Sequence, residues 1–588
     1  MSNHKNIFLL DLIILIFPII FILIYLPLNL WSISTVFILL SLLWFETKRY
    51  KAEKLAINYQ IVVLVFSFLL YAIYHLGSMS VPQHFDNFTK TNPIAYIKLK
   101  DNKKQHIDKV CFYIGIDANS KFTIESKQNG IYKTIYSYTK DFPKSFRWNC
   151  VDVDTTTNSL RLKQQSGAMM IDEVKLFDAN KTLAITSSRK HLYDEQSIDV
   201  DETFYGGMFF DEIYHGRTAF EILTGTRVYE TTHPYLGKLI IIPGIKIFGM
   251  TPFGWRIDNV LMATLFVWIM YMFAKDIFID RFFALIASFL LTYSFMHLTQ
   301  SRIALIDTFG TMFVFISFWY LYRFITRQKL YWLLLSGVFY GLAAGVKWSA
   351  VFAVLGFLMI AIYLIISRYP LKSKFQGYRL ILYGILSYGI VAVVVYVLTF
   401  YDIFFKTGSL SAIWDYQVNM YKYHHNLIFS HPYSSPWWSW VLDLKPMCYY
   451  RSVVGDRFSS ITVFGNMAIF WMGIVSFVYM VYKVLSSKHT IETIFILFAI
   501  IGLYIPYVFI GRIMFIYHFY YVVPFLILSV VYTLKDGMQK SRYIAKYFWI
   551  YLVVVGVLFM MYYPVLSGFE TSKWYVDYVL RWFPQWWL

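Results

Sequence analysis

The chain reads as a polytopic α-helical membrane protein of about thirteen transmembrane helices with one extracytoplasmic β-sandwich insert. Three observations predict this class. Of 588 residues, 58% are hydrophobic, 21% aromatic and only 15% charged, with a mean hydropathy of +0.51, which lies outside the range of soluble domains. Apolar runs of about 20 residues, long enough to cross a hydrocarbon core of about 30 Å, recur along the chain. Between 78 and 200 they give way to short alternating runs divided by turn residues.

Candidate spans lie near 8–27, 31–45, 57–76, 253–274, 282–297, 303–322, 331–346, 349–367, 380–400, 461–482, 492–510, 513–533 and 547–563. Their odd number puts the termini on opposite sides. The first follows Lys5, yet it runs about 20 residues without a small-residue cleavage site and leads into another span, so it is a retained anchor rather than a signal peptide. The implied organisation is three helices over 1–77, a β-module over 78–200, an external loop over 201–252 and helices over 253–400. An aromatic-rich external loop over 401–460, helices over 461–563 and an external tail over 564–588 complete it.

Orientation follows from the loops. ETKRYKAEK at 46–54, RFITRQK at 323–329, SRYPLKSK at 367–374, KVLSSK at 483–488 and KDGMQKSR at 535–542 fall on one side when the spans are threaded in order. A surplus of Lys and Arg marks that side as cytoplasmic. The net charge of +18 therefore belongs to membrane topology, and no nucleic-acid partner is expected. Arg302, Lys347 and Arg512 break the pattern on the opposite side, as anion-binding candidates or as snorkelling or internally paired cations.

The β-module is predicted from runs such as AYIKLK, KVCFYIGI, KFTIESK and MIDEVKLFD. It has the look of jelly-roll domains, although no sugar platform is legible and a spacer role serves equally. Cys111 and Cys150 both fall in it, on the oxidising side, where a disulfide is open to them. Cys448 lies in the later external loop. Three cysteines without CxxC or HxxxH spacing provide no metal site. In that later loop, Trp437, Trp438 and Trp440 read as interfacial belt residues, and His424, His425 and His431 lack the partners of a metal cluster.

The chemistry concentrates in FFDEIYHGRTAFEILTG at 209–225, THPYLGK at 232–238 and FGWRIDN at 253–259. An Asp–Glu pair at the membrane surface has the composition of a general base for an acceptor hydroxyl. The alternative is that Asp211 and Glu212 cap a helix, since acidic residues favour N-termini. His233, Lys238, Arg256, Arg302, Lys347 and Arg512 add cationic or hydrogen-bonding groups, the make-up of a site for a lipid phosphate. Asp307 is expected either to pair with Arg302 or to act directly.

Together FDEIYHGRTAFE, HPYLGKLII with FGWRIDN, SRIALIDTFGTMF with GLAAGVKWSAVF, HPYSSPWWSWVL and GRIMFIYHFYYVVPF resemble the protein O-mannosyltransferases, bacterial type, of the GT-C class of membrane glycosyltransferases. The similarity covers about 205–563 and, once two N-terminal spans are set aside, the family's eleven-span layout. It implies a polyprenyl-phosphate sugar donor, normally mannose, attacked in one inverting step by a Ser or Thr hydroxyl of an exported protein. Asp211 then matches the catalytic aspartate, with Glu212 as its partner. Arg256, Arg302, Lys238, Lys347 and Arg512 become candidate donor-phosphate contacts, and His233, His518, Tyr520, Tyr214, His431 and Trp437 candidate substrate contacts. No metal ligand is implied, and a need for a divalent metal stays open. The chain departs from the family where Thr232 stands before His233 in place of an acidic residue and Tyr235 replaces a second proline. It also lacks the β-trefoil module of eukaryotic members.

Two other functions compete. The same donor chemistry onto a lipid or cell-wall glycopolymer would need no peptide acceptor. A transporter or flippase would show polar mid-membrane helices and inverted repeats, and the candidate spans are apolar through their centres. The expected setting is the bacterial cell membrane, among its lipids, with the active site on the extracytoplasmic face.

Overall fold

The computed structural model describes residues 4–27, 34–36, 39, 41, 59–139, 144–427 and 429–588. The span expected near 31–45 falls mostly, and the basic loop 46–54 wholly, outside them. Two compact units emerge: a helical unit of Met1–Tyr74, Thr231–Gly237 and Asn259–Leu588, and a β unit of His75–Glu230 and Lys238–Asp258.

Among the described residues, eight helices are long and apolar enough to cross a membrane, or nine if the pair Arg281–Thr292 and Phe295–Ser301, bent by 58°, is one span. The count of thirteen is not confirmed among the described residues. Leu330–Val346 is apolar but 17 residues long, and Tyr59–Ile73 is the apolar helix seen where the described residues resume at 59. The run near 513–533 is divided between a 3₁₀ turn, Ile516–Tyr521, and a helix, Val523–Lys540. Pro524 sits in that helix's first turn, where a missing N–H costs nothing. Along Tyr378–Leu398, Ile381, Leu382, Ile385, Ile390, Val393 and Val394 are exposed, an apolar face that lipid covers. The chain is an integral membrane protein.

The described basic loops are knitted into one face of the helical unit. Arg323 and Arg327 pair with Asp276 at 2.6 and 3.4 Å, and Lys372 donates its backbone N–H to Gln328 at 2.6 Å. Lys535 reaches the Phe278 carbonyl at 2.6 Å, and Lys483 lies 3.5 Å from Asp536. Leu330–Val346 starts at this face beside Lys329, and Ile491–Tyr504 starts beside Lys488. A helix of 17 residues is about 25 Å long, so Lys347, and likewise Arg512 beyond Ile505–Phe509, lie at the opposite end.

The segment 401–460 is not an irregular loop. It forms helices Tyr401–Thr407 and Leu410–Asn426 and a hairpin of β9, Met447–Val454, and β10, Arg457–Val463. β11, Thr571–Ser572, adds to β10. The expected tail is thus packed in place, with Trp586 buried and donating to the Asp443 carbonyl at 2.8 Å. Trp440 is fully buried with its indole N–H on Ser435, a core residue rather than a belt residue, whereas Trp438 is exposed.

In the β unit, eight strands form one continuous antiparallel sheet. β2 (Ile94–Leu99), β3 (Gln105–Gln128), β4 (Ile131–Thr139), β6 (Ser159–Asp178) and β8 (Ile185–Ser187) run in the order β4-β3-β6-β2-β8, and β1 (Asp86–Phe88), β5 (Arg147–Thr157) and β7 (Lys181–Leu183) pair onto β3 and β6. An extended strand would hold Phe112 and Phe122 about 33 Å apart. Their rings stand 5.3 Å apart, because β3 bends at register shifts between Phe112 and Phe122. The sheet thereby folds over one apolar core that includes Phe112, Phe122, Leu162 and Val174, the expected sandwich built from one sheet. Cys111 and Cys150 face each other across β3 and β5 and are disulfide-bonded.

Candidate functional site

The acidic pair opens the helix Glu212–Thr224 of the β unit. Asp211 is the residue before its first turn, and its carbonyl accepts the N–H groups of Tyr214 and His215 at 3.0 and 3.1 Å. Its side chain makes no cap hydrogen bond, so the capping alternative rests only on the place of the two acidic residues at the helix start. Gly225, at φ 71°, ends the helix in the left-handed conformation that glycine adopts without strain.

Glu212 and Arg256 form a fully buried bidentate pair, with Nε and an Nη of Arg256 each 2.7 Å from a Glu212 oxygen. The remaining guanidinium donors reach the carbonyls of Leu76 and Gly207 at 2.8 and 3.0 Å. Arg256 is thus no phosphate contact and Glu212 no free carboxylate, because each saturates the other away from solvent. Lys238 is corrected similarly. It is fully buried, pairs with the Glu230 carboxylate and donates to the Glu230 carbonyl at 3.1 Å. Burial pushes its ammonium below the usual lysine range, against the opposing pull of Glu230. Tyr214 stacks on Tyr229 with centroids 6.2 Å apart, and Arg217 lies 4.1 Å over that ring.

In the helical unit, Arg302 is also structural. Its guanidinium donates to the carbonyls of Tyr71, Ala72, Tyr74 and Ser567 at 2.7–3.2 Å and is 2% exposed. Asp307 pairs not with Arg302 but with Lys347, at 2.8 Å. Tyr520 is buried with its hydroxyl 2.5 Å from Nδ1 of His297, a core pair rather than a substrate contact. His431 packs on Phe515 and Tyr433, and Trp437 on Tyr504.

Four of the residues singled out in the sequence do converge. His233, Lys347, Arg512 and His518 line one cavity of about 380 Å³ together with Trp348, Ser349, Val351, Phe352, His424, Tyr507 and Met514. Lys347 lies 5.2 Å over the Tyr517 ring. The Lys347 charge is balanced by Asp307, and no carboxylate pairs with Arg512 among the described residues. A cation surplus inside apolar walls suits an anion attached to a hydrocarbon chain.

The wall at His233 is built by the departures from the family pattern. Tyr235 is buried and donates its hydroxyl to Asp402 at 2.9 Å. The carbonyl of His233 accepts from Tyr416 at 3.0 Å, and that of Thr232 pairs with Nε2 of His424 at 2.7 Å. A Cβ at Gly237 would lie 2.5 Å from Ile306, so glycine lets this segment close on its neighbours. His424 is the site residue that sequence reasoning set aside. Burial, then the charges of His233, Arg512 and Lys347, push its pKa down to about 4. A neutral ring donating through Nε2 leaves Nδ1 as an acceptor.

Residues 223–407 match the family model for dolichyl-phosphate-mannose-protein mannosyltransferase, and 409–586 match the C-terminal four TMM region of protein-O-mannosyltransferase. Asp211 and Glu212 precede the matched residues. The chain is 23% identical over 456 residues to a polyprenol-phosphate-mannose–protein mannosyltransferase of Mycobacterium tuberculosis, covering 65% of this chain and 87% of that one. A protein of the same name from Corynebacterium glutamicum is 23% identical over 426 residues, covering 60% and 81%. The Saccharomyces cerevisiae protein O-mannosyltransferase Pmt1-Pmt2 complex bound to the sugar donor shares the fold, with a TM-score of 0.57 at 13% identity over 64% of this chain and 88% of that one.

Proposed function

The chain belongs to the dolichyl-phosphate-mannose-protein mannosyltransferase family, and from that membership we propose that it moves mannose from a polyprenyl-phosphate carrier to Ser or Thr hydroxyls of exported proteins. The observation that carries the reading is the cavity holding Lys347 and Arg512 among Trp348, Phe352 and Tyr507. In this reading the acceptor oxygen attacks the anomeric carbon as its bond to the phosphate oxygen breaks. The configuration inverts, and polyprenyl phosphate leaves with the bonding electrons. Lys347 and Arg512 stabilise the charge that grows on that phosphate. The buried Nδ1 of His424, which has no hydrogen-bond partner among the described residues, accepts from a donor hydroxyl. Asp211 takes the acceptor proton, and the Glu212–Arg256 clamp fixes the helix start at which Asp211 stands.

The positive-inside rule assigns the basic face to the cytoplasm, so this reading puts the cavity, at the other end of the helices, on the extracytoplasmic side. The chain 201–252 is then the external loop carrying the base. Binding of polyprenyl phosphate to purified protein tests the donor part: Arg512→Ala should weaken it, while Asp211→Asn should leave it near the wild-type value and abolish transfer. Equal loss of donor binding in Asp211→Asn would move Asp211 to the donor site. Transfer to a lipid or glycopolymer in place of peptide would favour the second acceptor class.

A further inference from the structure

We propose that the β unit carries a zinc-class divalent metal site formed by His84, His191 and Asp194, apart from the transfer chemistry. The three residues each offer one ligand atom, and these atoms all lie within 4.8 Å of one another. Nδ1 of His191 is 2.9 Å and Nδ1 of His84 is 3.5 Å from the same Asp194 oxygen. Ligands of a tetrahedral zinc, each about 2.0–2.1 Å from the ion, stand about 3.3 Å apart, so both separations suit a shared ion. A His–Asp hydrogen bond accounts for the shorter separation alone; Nδ1 of His84 lies 3.5 Å from the same oxygen and 3.7 Å from Glu195, so two imidazoles and two carboxylates converge on one point.

The support around the site is already arranged. Asp86 accepts the backbone N–H of His191 at 3.0 Å, and Glu195 accepts those of Gln83 and His84 at 2.8 and 3.1 Å. Glu173 in turn accepts the N–H of Glu195 at 2.7 Å. These carboxylates fix the two ligand-bearing segments and concentrate negative charge behind two imidazoles, a setting that favours a dication. Two nitrogens and a carboxylate oxygen select zinc or a neighbouring transition metal over calcium or magnesium. His84 precedes β1, and His191 and Asp194 follow β8, so the ion ties the entry of the module to its exit. His84 stands more than a hundred residues before His191 and Asp194 in the chain, which is why no local spacing announces all three.

The test uses the full-length protein in detergent, stripped with EDTA and equilibrated with buffered ZnCl₂, with bound metal measured by mass spectrometry. Wild type should retain about one zinc per chain, the His84→Ala/His191→Ala variant should bind more than about 100-fold more weakly, and zinc should raise the melting temperature of wild type but not of that variant. His106→Ala is the control, since His106 also lies between two carboxylates, Asp154 and Asp178, at 3.0 and 3.1 Å, but lacks a second imidazole; its zinc retention should equal that of wild type. Cobalt substitution should give visible absorption in wild type that the double variant lacks. Failure of wild type to retain zinc, or equal retention by the double variant, would overturn the proposal and leave the two histidines as ordinary partners of Asp194.

Discussion

At Arg512 the cavity makes its clearest demand. Lys347→Ala also strands buried Asp307, so its effect would mix donor binding with stability, whereas Arg512 has no carboxylate to strand among the described residues. Arg512→Ala is predicted to weaken polyprenyl-phosphate binding by about 1.5–3 kcal/mol, the range of a hydrogen bond to a charged group, read by titration of the lipid into purified protein. Arg256→Ala should act differently, lowering stability by about 3–5 kcal/mol because it leaves buried Glu212 uncompensated. Arg256→Lys should not rescue it, lacking the fork that spans both oxygens; thermal unfolding in detergent checks both. His424 carries the pH prediction. Its folded pKa lies below the ordinary value of 6.5, at about 4, so between those values the unfolded chain binds the extra proton and stability rises with pH. Melting temperature should climb from pH 4 to 6.5 more steeply in wild type than in His424→Gln. The sequence showed that Arg256 and Arg302 were unusual but not what they touched. Glu212 lies 44 residues from Arg256, and a cation saturated by a buried partner has the same one-letter signature as one waiting for phosphate.

Secondary elements were legible where periodicity was strong and illegible where the chain bends. The long spans Pro252–Phe278 and Arg542–Ser567 follow from uninterrupted apolar runs. The 58° bend between Arg281–Thr292 and Phe295–Ser301, and the 3₁₀ turn that brings His518 to the cavity, sit inside equally apolar sequence, where hydropathy carries no record of direction. The external segment 401–460 showed aromatic density but not its full sheet: β9 and β10 pair locally across Gly455 and Asp456, whereas β11, which adds to β10, comes more than a hundred residues later. In the β unit the strands were readable from alternation, while the fold of β3 onto itself was set by register shifts that alternation does not reveal. The Cys111–Cys150 bridge closes a separation of 39 residues, for which loop entropy suggests about 4 kcal/mol. The Cys111→Ala/Cys150→Ala variant should therefore melt well below wild type, with no further loss on adding reductant.

At the scale of the helical unit, the described basic loops gather at one face and the cavity lies at the far end of the helices that start there, so orientation and function stand or fall together. Cys111 and Cys150 are bonded and Cys448 is buried, which makes the natural chain a quiet background for labelling. Exposed cysteines introduced as Lys133→Cys and Gln539→Cys should react with a membrane-impermeant maleimide from opposite sides, the first from outside intact cells and the second only after the membrane is opened. The central claim is that this membrane protein passes a sugar from a lipid phosphate to protein hydroxyls. The direct measurement is transfer of labelled mannose from polyprenyl-phosphate-mannose to a Ser/Thr-rich peptide by purified wild type, Asp211→Asn and Arg512→Ala. The account predicts transfer by wild type, none by Asp211→Asn with donor binding kept, and transfer by Arg512→Ala reduced along with donor binding. Transfer by Asp211→Asn at the wild-type rate would contradict the assigned base, and no transfer by wild type with donor and peptide both bound would contradict the claim itself.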